Sequence, residues 1–152
     1  MPLPNIFTEA VSNNVIQRIH QLTPQSTPNW GKMNVAQMLA HCNVTYELVY
    51  ENKYPAPNFF AKFLMKAFVK KLVTNEVPYK HNGPTGKSFL ITDSRNFDLE
   101  KQRLIDYIRK TQQLGETHFD QLPSHSFGTL NKNEWNNMFY KHLDHHLTQF
   151  GV

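Results

Sequence analysis

Three histidines carry the chemistry most directly suggested by this sequence. In the closing stretch YKHLDHHLTQFGV, His142 and His146 stand four residues apart. On an α-helix that spacing sets one imidazole a turn above the other on the same face, where two ring nitrogens can converge on one ion. A third, His41, lies in NVAQMLAHCNVTYELVY. Three neutral imidazoles suit zinc, nickel, iron or copper, and three protein ligands leave coordination positions open for water or a substrate atom, as in catalytic sites. A structural zinc site would fill all four places with protein ligands, and the chain offers a single cysteine, Cys42. One buried histidine is more often a hydrogen-bonded core residue, and an HxxxH pair can arise by chance among eight histidines. The weight rests on two inward imidazoles from one helix joined by a third from another.

Helices must position these residues. Asn131 with Glu134 forms a capping-box pair, and Leu130 with Trp135 a hydrophobic staple, so a helix is predicted from there to the C-terminus. On a wheel of about 100° per residue, Trp135, Met138, Phe139, Leu143 and Phe150 share an arc that contains His142 and His146. Lys141, Asp144 and Thr148 fall on the opposite, solvent side, and His145 at the arc's edge. Asn34 caps an earlier helix that runs to about Asn52, with Gln37 completing the box and Met33 and Met38 the staple. Its inward arc holds Met38, Cys42, Thr45 and Val49, with His41 inside the arc's limits beside Leu48.

Three further helices complete the pattern. The first spans Glu9 to Leu22 and is stopped by Pro24 and Pro28. The third runs from Asn58 to Thr74, with Phe59, Phe60, Phe63, Leu64, Ala67, Phe68 and Leu72 on an apolar face opposite lysines, read as a face packed in the core, with an anionic membrane surface as the alternative. The fourth spans about Asp98 to Leu114, ending at Gly115. A long loop from Glu76 to Asn96 has room for a short strand at Ser88 to Thr92, and another loop leads to Leu130. With no repeat or composition break, residues 1–152 read as one all-α domain, a helix bundle of up-down connectivity with longer crossovers.

Composition narrows the function classes. The net charge of +4, from 16 Lys and Arg against 12 Asp and Glu, is too mild and unpatterned for a nucleic-acid binder. No stretch is apolar enough to span a bilayer, no secretory leader is evident, and a lone cysteine forms no internal disulfide, so a cytoplasmic protein without a membrane partner is expected. The segment GPTGKS, Gly83 to Ser88, has two residues between its glycines where a phosphate loop needs four, and reads as a turn. Cys42 reads as a core residue, because neighbours on a helix point about 100° apart and do not face each other. His118, Asp120 and His125 read as solvated loop residues, with a lid over the metal as the alternative. Tyr46, Tyr50 and Tyr140 are candidate hydrogen-bond donors near a pocket.

NWGKMNVAQMLAHC around His41 and the closing YKHLDHHLTQFGV together resemble the DinB and YfiT-like superfamily of metalloenzymes, and HSFGTLNKNEWNNMFYKHLDHHLTQFGV looks like an uncharacterised bacterial branch of it. The resemblance implies a four-helix bundle with a divalent ion held by His41, His142 and His146, so that one of the five helices is peripheral. It implies an ion such as zinc, nickel or iron, and a low-molecular-weight thiol as cofactor in relatives that transfer or isomerise thiols, or water in those that hydrolyse. A small-molecule substrate and a homodimer paired through helix faces are in keeping with it. A non-catalytic binding or stress-response module with a structural or vestigial metal site is the alternative. His145 is a departure from the common pattern, a fourth imidazole beside the pair.

Overall fold

The computed structural model describes residues 1–152. Six helical segments and one hairpin make up the chain: α1 Glu9–Gln21, α2 Val35–Tyr50, α3 Phe59–Leu64, α4 Lys70–Thr74, α5 Phe97–Phe119, β1 Leu122–Ser124, β2 Gly128–Leu130 and α6 Lys132–Gln149. Both capping boxes read from the sequence are formed. Asn34 Oδ1 accepts from the Gln37 amide at 2.9 Å while Gln37 Oε1 accepts from the Asn34 amide at 3.0 Å. The Asn131 and Glu134 pair repeats this with 3.0 Å in both directions. The staple residues Leu130 and Trp135 are fully buried, which fixes the angle at which the chain enters α6.

Apolar stripes from α1, α2, α5 and α6 meet in one core that includes Ile16, Ile19, Met38, Leu39, Tyr46, Leu104, Ile108, Phe139 and Leu143. α5 packs on both α1 and α2, and α6 packs on α1, α2 and α5. A polar clamp sets the rotation of α2: Asn43 donates to Glu100 at 2.8 Å, and Arg103 bridges Glu47 at 2.5 Å and Glu100 at 2.9 Å. With these residues turned to α5, His41 is left on the side of α2 that meets α6.

The third predicted helix departs most from expectation. It forms as α3 and α4 joined by a π-helical turn at Met65–Val69. The wider turn holds Ala61, Met65, Val69 and Val73 in register at a period of four, and these four are the segment's partly buried apolar residues. Its large apolar residues do not enter the core: Phe59 is 88% exposed, Phe68 75% and Leu72 49%. The segment lies outside the core and is laid against α6 through α4.

Lys141 also departs, because the side of α6 assigned to solvent is where α4 ends. The lysine is 4% exposed, and its ammonium donates to Leu72 O and Asn75 O at 2.7 Å and to Asn75 Oδ1 at 2.8 Å. A cation there supplies donors that the last carbonyls of α4 lack. Asp144, by contrast, pairs with Arg18 at 2.7 Å near the surface.

Two further expectations change. Ser88 to Thr92 forms no strand; a 3₁₀ turn occupies Lys87–Phe89 instead, and the two strands form an antiparallel hairpin inside the second loop. Gly115, expected as the end of its helix, has φ 74° and ψ 168°, and the chain resumes one more helical turn to Phe119. No helix is long and apolar enough to cross a membrane. Replacing Lys141 by Met keeps the length of the side chain but strips those carbonyls of their donor, and is expected to cost about 2–4 kcal/mol in urea unfolding. A change below about 0.5 kcal/mol would remove the lysine from its place as the pin between α4 and α6.

Candidate metal centre

His41, from the middle of α2, meets His142 and His146, from the last turns of α6. One ring nitrogen from each of the three lies within 4.8 Å of the others. Nε2 of His41 stands 2.9 Å from Nε2 of His142, and the ring centroids of the three pairs are 4.5 to 4.9 Å apart. Nitrogens bound to one tetrahedral zinc ion at 2.0–2.1 Å stand about 3.3 Å from one another, so adjustments on the order of an ångström bring the set to that geometry. His41 and His146 are buried and His142 is partly exposed.

The second nitrogen of every ring is tied back to the protein. His41 Nδ1 lies 2.8 Å from the carbonyl oxygen of Phe89. A carbonyl only accepts, so the hydrogen is on Nδ1 and Nε2 is left with its lone pair. His146 Nδ1 lies 2.8 Å from Gln149 Oε1. The amide's orientation follows from its other end, where Nε2 donates to Trp30 O at 2.6 Å, so His146 likewise carries its hydrogen on Nδ1 and frees Nε2. His142 Nδ1 lies 3.0 Å from the Thr45 hydroxyl, which can accept or donate. Without an ion, His142 Nε2–H donates to the His41 lone pair; a change of tautomer, with the Thr45 hydroxyl now accepting, frees the third nitrogen. Such outer partners fix ring orientation and raise ligand basicity in metal sites.

Two segments outside α2 and α6 help build this outer ring. The 3₁₀ turn in the Glu76 to Asn96 loop delivers the Phe89 carbonyl and sets the Phe89 ring edge-on to His41 and His142, at 5.3 and 5.8 Å. The chain at Asn29 to Gly31 docks on the end of α6, with the Asn29 amide donating to Gln149 O at 2.7 Å. Gly31 has φ +85°, and a Cβ there would stand 2.6 Å from Gln149 Nε2, so its bare backbone makes room for the side chain that orients His146. Sequence reasoning found Thr45 on the inward arc, but neither the Phe89 carbonyl nor Gln149. The spacing of three residues between His146 and Gln149 was the available signal for the second.

Burial keeps the imidazoles neutral. Desolvation lowers His41, lowers His142 well below the ordinary histidine range, and pushes His146 down to about 3; the neighbouring imidazoles add to each shift. His145 borders the triad with its ring 5.0 Å from that of His146, and is half-buried beside Trp30, Tyr79 and His81. Its pKa is also lowered, by burial first and then by His81.

The other singled-out residues lie elsewhere. Cys42 is buried with its thiol against Met38 Sδ at 3.7 Å, and burial pushes its pKa up, as fits a core cysteine. Tyr46 stacks between Tyr107 and Phe139, and Tyr50 shares a 2.7 Å hydrogen bond with Thr111, so both face α5 or the core and not the triad. Gly83 to Ser88 is exposed, and its last two residues open the 3₁₀ turn. His118 packs edge-on to Phe119, His125 contacts Ser126, and Asp120 accepts from the Lys132 amide at 3.0 Å, capping the start of α6. That end of α6 lies about 15 Å along the axis from His142, so the loop carrying these residues is no lid over the triad.

The neutral imidazoles set a pH dependence for the metal-free protein. In the unfolded chain histidines protonate near 6.5, whereas in the fold these remain neutral to lower pH, so below about 6.5 the unfolded state binds more protons. Stability is therefore expected to fall from pH 7 to pH 5, approaching roughly 1.4 kcal/mol per pH unit for each such imidazole. Urea unfolding of chelator-treated protein across that range reads this directly; a flat profile would contradict the buried neutral rings.

No curated protein and no solved structure matches the chain significantly. A family model described as a protein of unknown function, DUF1569, matches residues 7–151. With nearly the whole fold and all three histidines inside the matched span, the chain belongs to the DUF1569 family.

Proposed function

We infer that the protein holds a divalent transition ion, zinc or nickel before iron, through Nε2 of His41, His142 and His146, and acts as a metal-dependent enzyme on a small molecule. The observation that carries this reading is the anchoring of each Nδ1 on a separate partner, which turns the three Nε2 atoms toward one point. A hydrogen-bonded core histidine needs no such convergence. Placement within a four-helix bundle of DinB and YfiT type agrees with the packing of α1, α2, α5 and α6.

A divalent ion held there supplies a Lewis acid that lowers the pKa of a thiol or a water molecule to near neutrality. The chain's own residues define the rest. An uncharged ligand set leaves the positive charge uncancelled and favours an anion at the open position. Phe89 covers His41 and His142 with an apolar ring, which restricts water on that side. His145, neutral at pH 7, has a ring nitrogen available to take a proton beside the triad. These features suit an S-transferase or isomerase that uses a low-molecular-weight thiol, or a hydrolase.

The test is a screen of metal-loaded protein with low-molecular-weight thiols plus an activated electrophile, and separately with activated esters and amides. Turnover by one of these routes is expected, lowered more than about 100-fold by His41→Ala, with the circular-dichroism spectrum retained. Bound metal without turnover in either screen, or turnover indifferent to His41→Ala, would leave the non-catalytic module as the better account.

A further inference from the structure

The exposed side of the Phe59 to Thr74 segment is unlike the rest of the surface. Phe59, Phe60, Phe63, Leu64, Phe68 and Leu72 stand 38 to 88% exposed along one helical ridge. The segment is held to the body by its other side, through Ala61, Met65, Val69 and Val73 and through Lys141. Lysines fall between these residues in the sequence and are exposed on the same segment: Lys70 is occupied by Glu134 at 2.9 Å, but Lys62, Lys66 and Lys71 pair with no carboxylate. No Asp or Glu occurs between Glu51 and Glu76.

We propose that this ridge docks on the surface of an anionic lipid bilayer. Charge complementarity decides the occupant. In a two-fold contact with a second copy, the same patch faces itself, so the free lysines of both copies would confront one another with no acidic residue on the helix to pair them. A bilayer of anionic headgroups supplies the missing counter-charge along the whole ridge, and its acyl boundary receives the aromatic side chains. The shape agrees, since the side chains project from a convex helix about 24 Å long, fit to lie in the interface plane, and line no groove in which a peptide would seat. The lysine stems can lie along the apolar ridge while their ammonium groups remain at headgroup level. The docking is peripheral, because no helix is long and apolar enough to cross a membrane. It stands independently of whether the histidines bind a metal.

The experiment is co-sedimentation of the full chain with vesicles of phosphatidylcholine alone or with phosphatidylglycerol, at low and high salt. Binding is expected only to the anionic vesicles, weakened by salt. Lys62→Ala with Lys66→Ala should weaken it roughly 30-fold, and Phe63→Ser with Phe68→Ser should abolish it; all four positions are exposed, and circular dichroism checks that the fold is kept. Phe63→Trp should shift its emission to the blue on anionic vesicles, which adhesion by charge alone would not produce. Absence of binding at low salt, binding indifferent to the phenylalanine changes, or a homodimer in light scattering that the phenylalanine changes dissociate would each overturn the proposal.

Discussion

Three imidazoles crowded into one buried spot can exist only in a particular state. Protonating more than one would place like charges a few ångströms apart where water cannot screen them, and with all three neutral the one hydrogen among the converging nitrogens, on His142 Nε2, is taken by the His41 lone pair. The fold accepts the neutral solution and then fixes which nitrogen of each ring carries the hydrogen. Phe89 O and Gln149 Oε1 settle this for His41 and His146, and the Thr45 hydroxyl lets His142 take either tautomer. Lone pairs held together in this way are costly unless a proton or a cation sits among them. That constraint is the physical basis for reading the cluster as a metal centre.

Much of the architecture can be followed outward from it. α2 is rotated by the Asn43, Glu47, Glu100 and Arg103 clamp so that His41 faces α6. α6 is started by its capping box and staple, and its last turn is held by the chain at Asn29 to Gly31, where a glycine with positive φ leaves space for Gln149. The loop between α4 and α5 brings a backbone carbonyl and an aromatic ring over the site. Lys141, next to His142, fastens the end of α4 to the same helix.

The sequence made the helices and the triad readable for local reasons. Capping boxes and staples are contacts within five residues, and HxxxH is a single-turn geometry, so α2, α6 and the ligand spacing needed no tertiary information. What it hid depended on which element packs where. The Phe59 to Leu72 pattern looks the same whether its apolar side faces a core or solvent, and only the other side, marked by Ala61, Met65, Val69 and Val73, is held to the body. Lys141 falls on the polar arc of its wheel, yet is buried because α4 ends against it. The Phe89 contact is made by a main-chain oxygen, which no residue-type pattern can signal. The hairpin at Leu122 to Leu130 leaves no alternating pattern in the sequence because each strand has only three residues.

The most direct measurement is elemental analysis of the protein purified without a histidine tag, alongside the His142→Ala and His146→Ala variants, with folding checked by circular dichroism. About one equivalent of a transition metal per chain in the unaltered protein, lost from both folded variants, is the predicted result. No stoichiometric metal, even after reconstitution with zinc, nickel or iron, would contradict the metal centre and leave the three histidines as a hydrogen-bonded core cluster.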